Sequence, residues 1–282
     1  MPVLDFTIGA DPEFVMKDGE NLIYSGDYAD LNDDFGMDGS GVAFEVRPKP
    51  SKDPIKVINN IYNIFKKEVF YKDNFLKYKW IAGSYTQSSE EGCPLGGHIH
   101  FGFKYHGVSS NIIMDYLDRY LGLVSLLIEN RLDGKERREC GYGKASDYRV
   151  NDHGFEYRVV SSWLTTPYIS AAILCLAKTI VYEFLNNSKF EWHLFTYNKS
   201  IFSSFDVKVF RNKYFPVVWK DITKMELYQN YKPYIDLIYF LVKNELTWLP
   251  KYDVKEAWGI YDTKKRVIFD SIDMDTIWIR NV

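Results

Sequence analysis

The chain has 282 residues, a net charge of −3 and 46% hydrophobic residues, which is enough for one large domain or two small ones with a buried core. This charge gives no electrostatic signature of binding to nucleic acid or to an anionic membrane, and the aromatic content of 17% argues against disorder. The three cysteines have no CxxC spacing, so neither a disulfide framework nor a thiolate zinc site is indicated.

The first half of the chain predicts strands and one helix. An opening strand ends at the GADPEF turn, and a polar hairpin and loop lead to the strand GVAFEVRP. Asp53 and Pro54 predict the N-cap and first position of a helix. The predicted buried stripe of this helix is Ile55, Ile58, Tyr62, Phe65 and Val69. A strand from Trp80 to Tyr85 and a loop then precede the strand GGHIHFGF.

The second half predicts mainly helices. A helix over residues 110–130 is followed by the loop GKERRECGYGKASDYR and the strand GFEYRVV, and Thr166 and Pro167 begin a helix that ends near Asn186. Lys178 and Glu183 interrupt its apolar run well before the roughly 20 residues that span a bilayer. A further helix is predicted at KPYIDLIYFLVKNEL, before an apolar segment, DTIWIRNV. We expect a catalytic domain over residues 1–188 and a mainly helical extension over 189–282 packed on it.

Four predicted strands each carry an ionisable pair at positions i and i+2. The pairs are Asp11 with Glu13, Glu45 with Arg47, His98 with His100, and Glu156 with Arg158. Because strand side chains alternate faces, each pair lies on one face while neighbours such as Ile99 and Phe155 are buried on the other. If the strands share a sheet, its open face collects carboxylates, imidazoles and guanidiniums. That composition suits divalent metal and phosphate.

A structural interpretation of the same pattern stays open, since any antiparallel sheet with one solvated face alternates apolar and polar residues. Each ionisable residue by itself fits a salt bridge or a hydrogen-bonded polar group of the core. Two features favour a functional face: the outward residues are Glu, His and Arg with almost no Thr, Ser or Gln, and glycines crowd them.

The carboxylates predict a site for a hard cation. Mg²⁺ at phosphate-handling sites is held by a few carboxylates, waters and substrate phosphates. Glu13, Glu45 and Glu156 lie on different strands and can converge without being adjacent in sequence. His98 or His100 would add an imidazole, which is compatible with Mg²⁺ or Mn²⁺.

The cationic residues predict a clamp for oxyanions. Arg47 and Arg158 offer planar forks for phosphate or carboxylate, and Lys144 and Arg149 lie in the glycine-punctuated GYGKASDYR. That segment could equally be a solvated turn, and it lacks the GxxxxGK[ST] of a P-loop. GxSxG and HExxH motifs are absent from the sequence, and Cys93 lies in a turn without an evident catalytic partner.

The ordered motifs GADPEF, DGSGVAFEVRP, GGHIHFG, RRECGYGKASDYR and GFEYRVVSSWL resemble those of phage-encoded amidoligases, the carboxylate–amine ligases. These are related to glutamine synthetase and the glutamate–cysteine ligases. The resemblance covers about residues 5–168. It implies a glutamine-synthetase-like α+β fold, with a curved, mainly antiparallel sheet flanked by helices that binds ATP and two or three Mg²⁺ or Mn²⁺ ions. It also implies ATP-dependent amide or isopeptide formation through an acyl phosphate.

By motif position, the resemblance assigns roles to individual residues. The implied metal ligands are Glu13, Glu45, His98 and Glu156, with Asp11 as a weaker candidate; which of His98 and His100 binds metal stays open. Glu45 would bind a metal or the incoming amine. The remaining implied roles are transition-state stabilisation by Arg158, contact with nucleotide or substrate by His100, Lys144 and Arg149, and binding of the substrate carboxylate by Arg47.

The resemblance implies a small-molecule or peptide carboxylate and an amine as substrates, in bacterial or phage-infected host cytoplasm. Neither substrate can be identified from the sequence, and an oligomer is possible. Two other functions remain open. A metal-dependent hydrolase could use the same face to activate water, and a non-catalytic virion or scaffold protein could retain the fold.

Overall fold

The computed structural model describes residues 5–39, 41–71, 74–87, 92–103, 110–248 and 252–260. The strands are β1 (Thr7–Asp18), β2 (Asn21–Leu22), β3 (Phe35–Met37), β4 (Ala43–Val46), β5 (Lys79–Ile81), β6 (Tyr85–Gln87), β7 (Gly92–Pro94), β8 (Gly97–Gly102), β9 (Tyr148–Asn151) and β10 (Gly154–Tyr157). The helices are α1 (Pro54–Tyr71), α2 (Asn74–Lys77), α3 (Ser110–Leu117), α4 (Leu123–Leu126), α5 (Arg131–Glu139), α6 (Pro167–Asn186), α7 (Ile201–Ser204), α8 (Phe215–Ile222), α9 (Tyr228–Lys243) and α10 (Val254–Ala257).

The main sheet has the strand order β3-β4-β1-β8-β10-β9, with β2 and β5 also paired to β1. Each of these pairs is antiparallel. The predicted α+β class with a mainly antiparallel sheet and flanking helices is therefore confirmed. The four strands that carry the ionisable pairs, β4, β1, β8 and β10, are consecutive in the sheet.

One face of the sheet forms the main core. Ile99, Phe101, Phe155 and Tyr157 are buried there, as alternation along β8 and β10 predicts. Phe14 of β1 contacts a group of aromatic rings from β3, β4, α1 and β5, namely Phe35, Phe44, Phe65 and Trp80. Burial of these large rings fixes which face of β1 is apolar and leaves its other face to polar side chains.

The two predicted helix starts are confirmed by their caps. An Asp53 oxygen accepts from the backbone N–H of Ile55 at 3.0 Å, and Thr166 Oγ1 accepts from that of Ile169 at 3.1 Å. By length and composition alone, α6 could span a membrane, but 78% of its most apolar window is buried inside the protein. This burial is typical of a core helix.

The predicted end of the first strand at GADPEF is wrong, because β1 continues to Asp18. Pro12 pairs with Gly97, the first residue of β8. Its missing N–H therefore falls where the ladder to β8 ends, a place at which a strand tolerates proline. The predicted strand from Trp80 to Tyr85 is divided between β5 and β6.

The predicted loop over residues 134–149 is also wrong at both ends, which belong to α5 and β9. Helix α5 begins after Asn130, whose side chain accepts from the N–H groups of Leu132 and Asp133. The buried residues of α5 are Gly134, Arg137 and Arg138, so hydrophobic periodicity could not reveal this helix. The predicted helix over 110–130 is interrupted by a π-helical turn, Asp118–Gly122.

A helix at the predicted position near the C-terminus is confirmed as α9. The segment DTIWIRNV, residues 275–282, lies outside the described residues. On the polar side of the sheet, Val15, Ala43, Ile81, Cys93 and Leu95 form a second, small apolar cluster. Cys93 belongs to β7, which pairs with β6. Val15 is the residue of β1 that follows Glu13 on this face.

Candidate active site

The eight residues of the ionisable pairs share one face, and the strand register brings most of them into contact. Glu13 lies opposite Glu45, and Asp11 lies opposite His98. On the other side of β8, His100 lies opposite Glu156. Acidic and basic side chains from four neighbouring strands thus meet in a single layer.

Asp11 lies at the centre of this layer. One carboxylate oxygen, Oδ2, is 2.9 Å from His100 Nε2. The other, Oδ1, is 3.5 Å from His98 Nδ1, at the limit of a hydrogen bond, and it is buried without a hydrogen-bond partner among the described residues. A buried carboxylate oxygen without a donor is costly unless a ligand satisfies it.

Glu13 is held by the turn before β8. Its Oε2 accepts from the backbone N–H of Gly96 at 2.7 Å, and its Oε1 is 3.9 Å from His98 Nδ1. Burial raises the pKa of Glu13 to about 7, although the charge of His98 opposes this shift.

Glu45 is buried beside Asp11 and forms an ion pair with Arg47. Burial and then the charge of Asp11 raise the pKa of Glu45 to about 9. The Arg47 guanidinium also donates to the carbonyls of Asp33 at 2.9 Å and Met37 at 3.1 Å. It therefore holds the 33–37 segment against β4 in addition to its contact with Glu45.

The two histidines are surrounded by carboxylates. Burial disfavours the protonated form of His98, but the close approach of Asp11 and the charges of Glu13 and Asp11 outweigh burial and raise its pKa. Burial also disfavours the protonated form of His100, but its hydrogen bond to Asp11 and the charge of Asp11 outweigh burial and raise its pKa. The carboxylates around the two histidines offer oxygen ligands, and each imidazole offers a nitrogen ligand, for a bound cation.

Glu156 is buried between cations. It forms an ion pair with Arg158, its Oε1 is 3.4 Å from His98 Nδ1, and its Oε2 is 3.6 Å from Arg149 Nη1. Burial disfavours the charge on Arg158, but Glu156 and Asp147 outweigh that effect and raise its pKa. Arg149 on β9 is largely exposed, and the Lys144 side chain is exposed in the adjoining loop.

The donor set fits a divalent cation. Two groups have ligand atoms within 4.8 Å of one another: Asp11, His100 and Glu156, and Asp11, Glu45 and His98. Carboxylate oxygens with one imidazole suit Mg²⁺ or Mn²⁺. Asp11, the weaker candidate by sequence, belongs to both groups, whereas Glu13 belongs to neither.

Sequence reasoning missed a buried arginine that binds the backbone just after β10. Arg137, buried in α5, donates to the carbonyls of Val159 at 2.9 Å and Arg158 at 3.2 Å. Gly143 passes so close that a Cβ there would lie 1.9 Å from Arg137 Nη1. The two adjacent arginines of RREC could have indicated such a contact, since a buried arginine needs hydrogen-bond acceptors. Which acceptors it finds depends on tertiary contacts.

We expect Gly96→Ala to weaken metal binding at little cost in stability. A Cβ at this position would lie 2.4 Å from His98 Nε2, so the imidazole must rotate out of the cluster, whereas the backbone has no positive φ to strain. Mn²⁺ affinity measured by calorimetry should fall roughly tenfold. Gly39→Ala is the matched control because its Cβ would meet nothing within 4 Å; equal effects of both variants would contradict this account of His98.

Comparison with known protein families identifies the family of this chain. The model of the family "Phage phiEco32-like COOH.NH2 ligase-type 2" matches residues 8–260. The chain belongs to this family. The family is described as one of ligases that join a carboxylate to an amine, and the match extends well beyond the motifs at residues 5–168.

Two further comparisons are less informative. A bifunctional glutathione synthetase from Pasteurella multocida, known from a crystal structure, aligns with 91% of this chain at 11% identity and a TM-score of 0.46. The alignment covers 48% of that protein, so the chain spans about half its length. A similarity of this size does not establish a common fold. No curated protein matches the chain significantly.

Proposed function

We propose that the protein is an ATP-dependent carboxylate–amine ligase whose active site is the polar face of the sheet. A substrate carboxylate oxygen attacks the γ-phosphorus of ATP, and the bond to the β,γ-bridging oxygen breaks to release ADP. An amine nitrogen then attacks the acyl carbon of the acyl phosphate. The carbon–oxygen bond breaks, phosphate leaves, and the nitrogen loses a proton to give an amide or isopeptide.

The observation that carries the proposal is the convergence of Asp11 and Glu156 on His98 from three strands. One Asp11 oxygen is buried there without a hydrogen-bond donor among the described residues. Two groups of ligands that share Asp11 support two cation positions. The residues that would hold Mg²⁺ or Mn²⁺ are Asp11, Glu13, Glu45, His98 and Glu156, with His100 at the edge. Bound there, the cations would neutralise phosphate charge.

The cationic residues lie at two ends of the polar face, and we assign a different substrate to each end. Arg158, between Glu156 and Asp147, would stabilise the transferring phosphoryl group. Lys144 and Arg149 lie on the same side and would contact nucleotide phosphates. Arg47 lies at the opposite end, beside Glu45, and would receive the substrate carboxylate while Glu45 binds metal or the amine.

Several coarser features support the same assignment. The antiparallel sheet and helices are compatible with a curved, glutamine-synthetase-like catalytic fold, and residues 1–188 would form that domain with 189–282 as its extension. The expected substrates are a small-molecule or peptide carboxylate and an amine. A cytoplasmic site of action, in a bacterial or phage-infected cell, fits a reaction that consumes ATP.

A thermal-shift titration tests the proposal. Mn²⁺ or Mg²⁺ together with ADP should raise the midpoint of unfolding, because ligands that bind the native state stabilise it. Nucleotide without metal should have much less effect. A shift with metal alone would favour a metal-dependent hydrolase, and folded protein that shifts with neither would favour a non-catalytic protein.

We expect Arg158→Lys to lower turnover by roughly 100-fold while changing nucleotide affinity much less. A planar fork that contacts two oxygens becomes a point charge, so the interaction lost is greatest in the transition state. Steady-state rates and calorimetric ADP affinities separate the two effects. Arg131→Lys, at an exposed position on α5, is the control, and full activity of Arg158→Lys would remove Arg158 from this role.

A further inference from the structure

A buried carboxylate outside the ionisable layer connects three separate parts of the protein. Asp118, in the π-helical turn after α3, is fully buried. Its Oδ1 accepts from the Tyr157 hydroxyl at 2.9 Å. Its Oδ2 accepts from the hydroxyls of Ser146 at 2.8 Å and Tyr197 at 3.2 Å. The proposed chemistry does not use this group directly.

Each donor belongs to a different element. Tyr157 is on β10, next to Glu156 but on the opposite face of the sheet. Ser146 is in the 143–147 loop, and Tyr197 is in the segment between α6 and α7, beyond the predicted catalytic domain. Lys199 from this segment also donates to Ser146 Oγ at 3.1 Å. The C-terminal part of the chain therefore supports the loop directly.

The loop has a backbone conformation that needs such support. Ser146 has φ 59°, a left-handed conformation that a side chain with a Cβ disfavours. Such residues persist where surrounding contacts fix them, and they cluster at functional sites. The hydrogen bonds from Ser146 to Asp118 and from Lys199 to Ser146 supply those contacts.

The same loop touches the proposed phosphoryl clamp. The Arg158 N–H donates to the Asp147 carbonyl at 2.9 Å, and Arg158 Nε is 3.9 Å from Asp147 Oδ1. Lys144 lies three residues before Asp147 in the same loop. A shift of the loop at Ser146 would therefore move both the neighbour of Arg158 and the lysine assigned to nucleotide.

We propose that Asp118 is a positioning residue, which with Tyr197 holds the 143–147 loop in the conformation that binds nucleotide. This inference rests on the proposed ligase function. It gives the C-terminal extension a role: Tyr197 and Lys199 complete the support of an active-site loop from outside the sheet.

Two variants test this role without altering the ionisable layer. Tyr197→Phe removes the hydroxyl that donates to Asp118 at nearly constant side-chain volume. Ser146→Ala removes the loop hydroxyl that donates to Asp118 but keeps the Cβ. Asp221→Asn is the matched control. Asp221 is also buried and accepts from a tyrosine, Tyr120, at 2.7 Å, but its other bonded partner is the His193 N–H rather than the loop.

The first readout is native-state cleavage by trypsin after Lys144, followed by mass spectrometry of fragments 1–144 and 145–282. It requires no activity. Cleavage should be faster in Tyr197→Phe and Ser146→Ala than in wild type, because loosening exposes the bond to the protease. Asp221→Asn should lose thermal stability without faster cleavage at Lys144. Unchanged cleavage in both loop variants would overturn the proposal.

The second readout is calorimetric affinity for Mn²⁺ and for ADP with Mn²⁺. ADP affinity should fall roughly tenfold in the loop variants, as for other supporting contacts, with Mn²⁺ affinity unchanged. Faster cleavage with unchanged ADP affinity would overturn the role in nucleotide binding. If wild type binds no nucleotide, the ligase proposal fails, while the trypsin result still decides whether Asp118 and Tyr197 hold the loop.

Discussion

Replacing Glu156 by glutamine is expected to abolish most ligase turnover and to weaken Mn²⁺ binding in a protein that still folds. Glu156 is the buried carboxylate that meets Arg158, Arg149 and His98. The amide keeps the shape but removes the charge that these cations and a metal require. We expect turnover to fall by roughly 100-fold or more and Mn²⁺ affinity by at least about tenfold.

Rates at saturating ATP and calorimetric Mn²⁺ titration give the two measurements. Glu20→Gln is the control. It carries the same chemical change on an exposed residue whose partner is Lys17, and both quantities should stay at wild-type values. Turnover of Glu156→Gln within a few-fold of wild type would show that the reaction takes place elsewhere.

The largest expected effect on stability comes from Glu129 and Arg138. Both side chains are fully buried, with Arg138 Nη1 2.8 Å from Glu129 Oε2. Ser161 donates to the same oxygen at 3.0 Å. Arg138→Met leaves a buried carboxylate without its cation, so we expect a loss of about 3–5 kcal/mol in the free energy of unfolding.

Denaturant unfolding measures this loss, and Lys135→Met is the control on the same helix. Lys135 pairs with Glu139 at the surface, where an ion pair of this spacing contributes about 0.3–0.5 kcal/mol. The double variant Glu129→Gln with Arg138→Met should recover part of the loss, because neither charge remains buried alone. A cost of Arg138→Met equal to that of Lys135→Met would contradict the assigned pairing.

The same pair sets a dependence of stability on pH. Burial alone would raise the pKa of Glu129, but the charge and hydrogen bonds of Arg138 outweigh burial and lower it below 4.5. A carboxyl whose pKa is lower in the folded state contributes stability above its unfolded pKa, and this is lost as pH falls through the folded value. Wild type should therefore lose more stability than Arg138→Met on acidification below about pH 4.5.

Local periodicity was sufficient to find the polar face. The i, i+2 spacing of His98 and His100, or of Glu156 and Arg158, is visible within a few residues, and burial of Ile99 and Phe155 on the other face follows from it. Helices α1 and α6 were likewise predictable from Asp53 and Thr166, because caps act over three residues.

The roles of residues that depend on strand register or on contacts with distant parts of the chain could not be predicted from local periodicity. The central place of Asp11 follows from its pairing with His98, 87 positions along the chain, and from a strand that continues past Pro12. Helix α5 buries two arginines rather than a hydrophobic stripe. Asp118 finds its three donors 28, 39 and 79 residues away, so sequence alone gave no reason to separate it from other acidic residues.

The most direct test of the ligase chemistry follows oxygen from the substrate. Candidate carboxylic acids are incubated with ATP, Mg²⁺ and hydroxylamine as a small amine, and acids that yield a hydroxamate together with ADP are then labelled with ¹⁸O in the carboxylate. Transfer through an acyl phosphate predicts one ¹⁸O atom in the released phosphate for each hydroxamate formed. Hydroxamate formed with unlabelled phosphate would contradict the acyl-phosphate account.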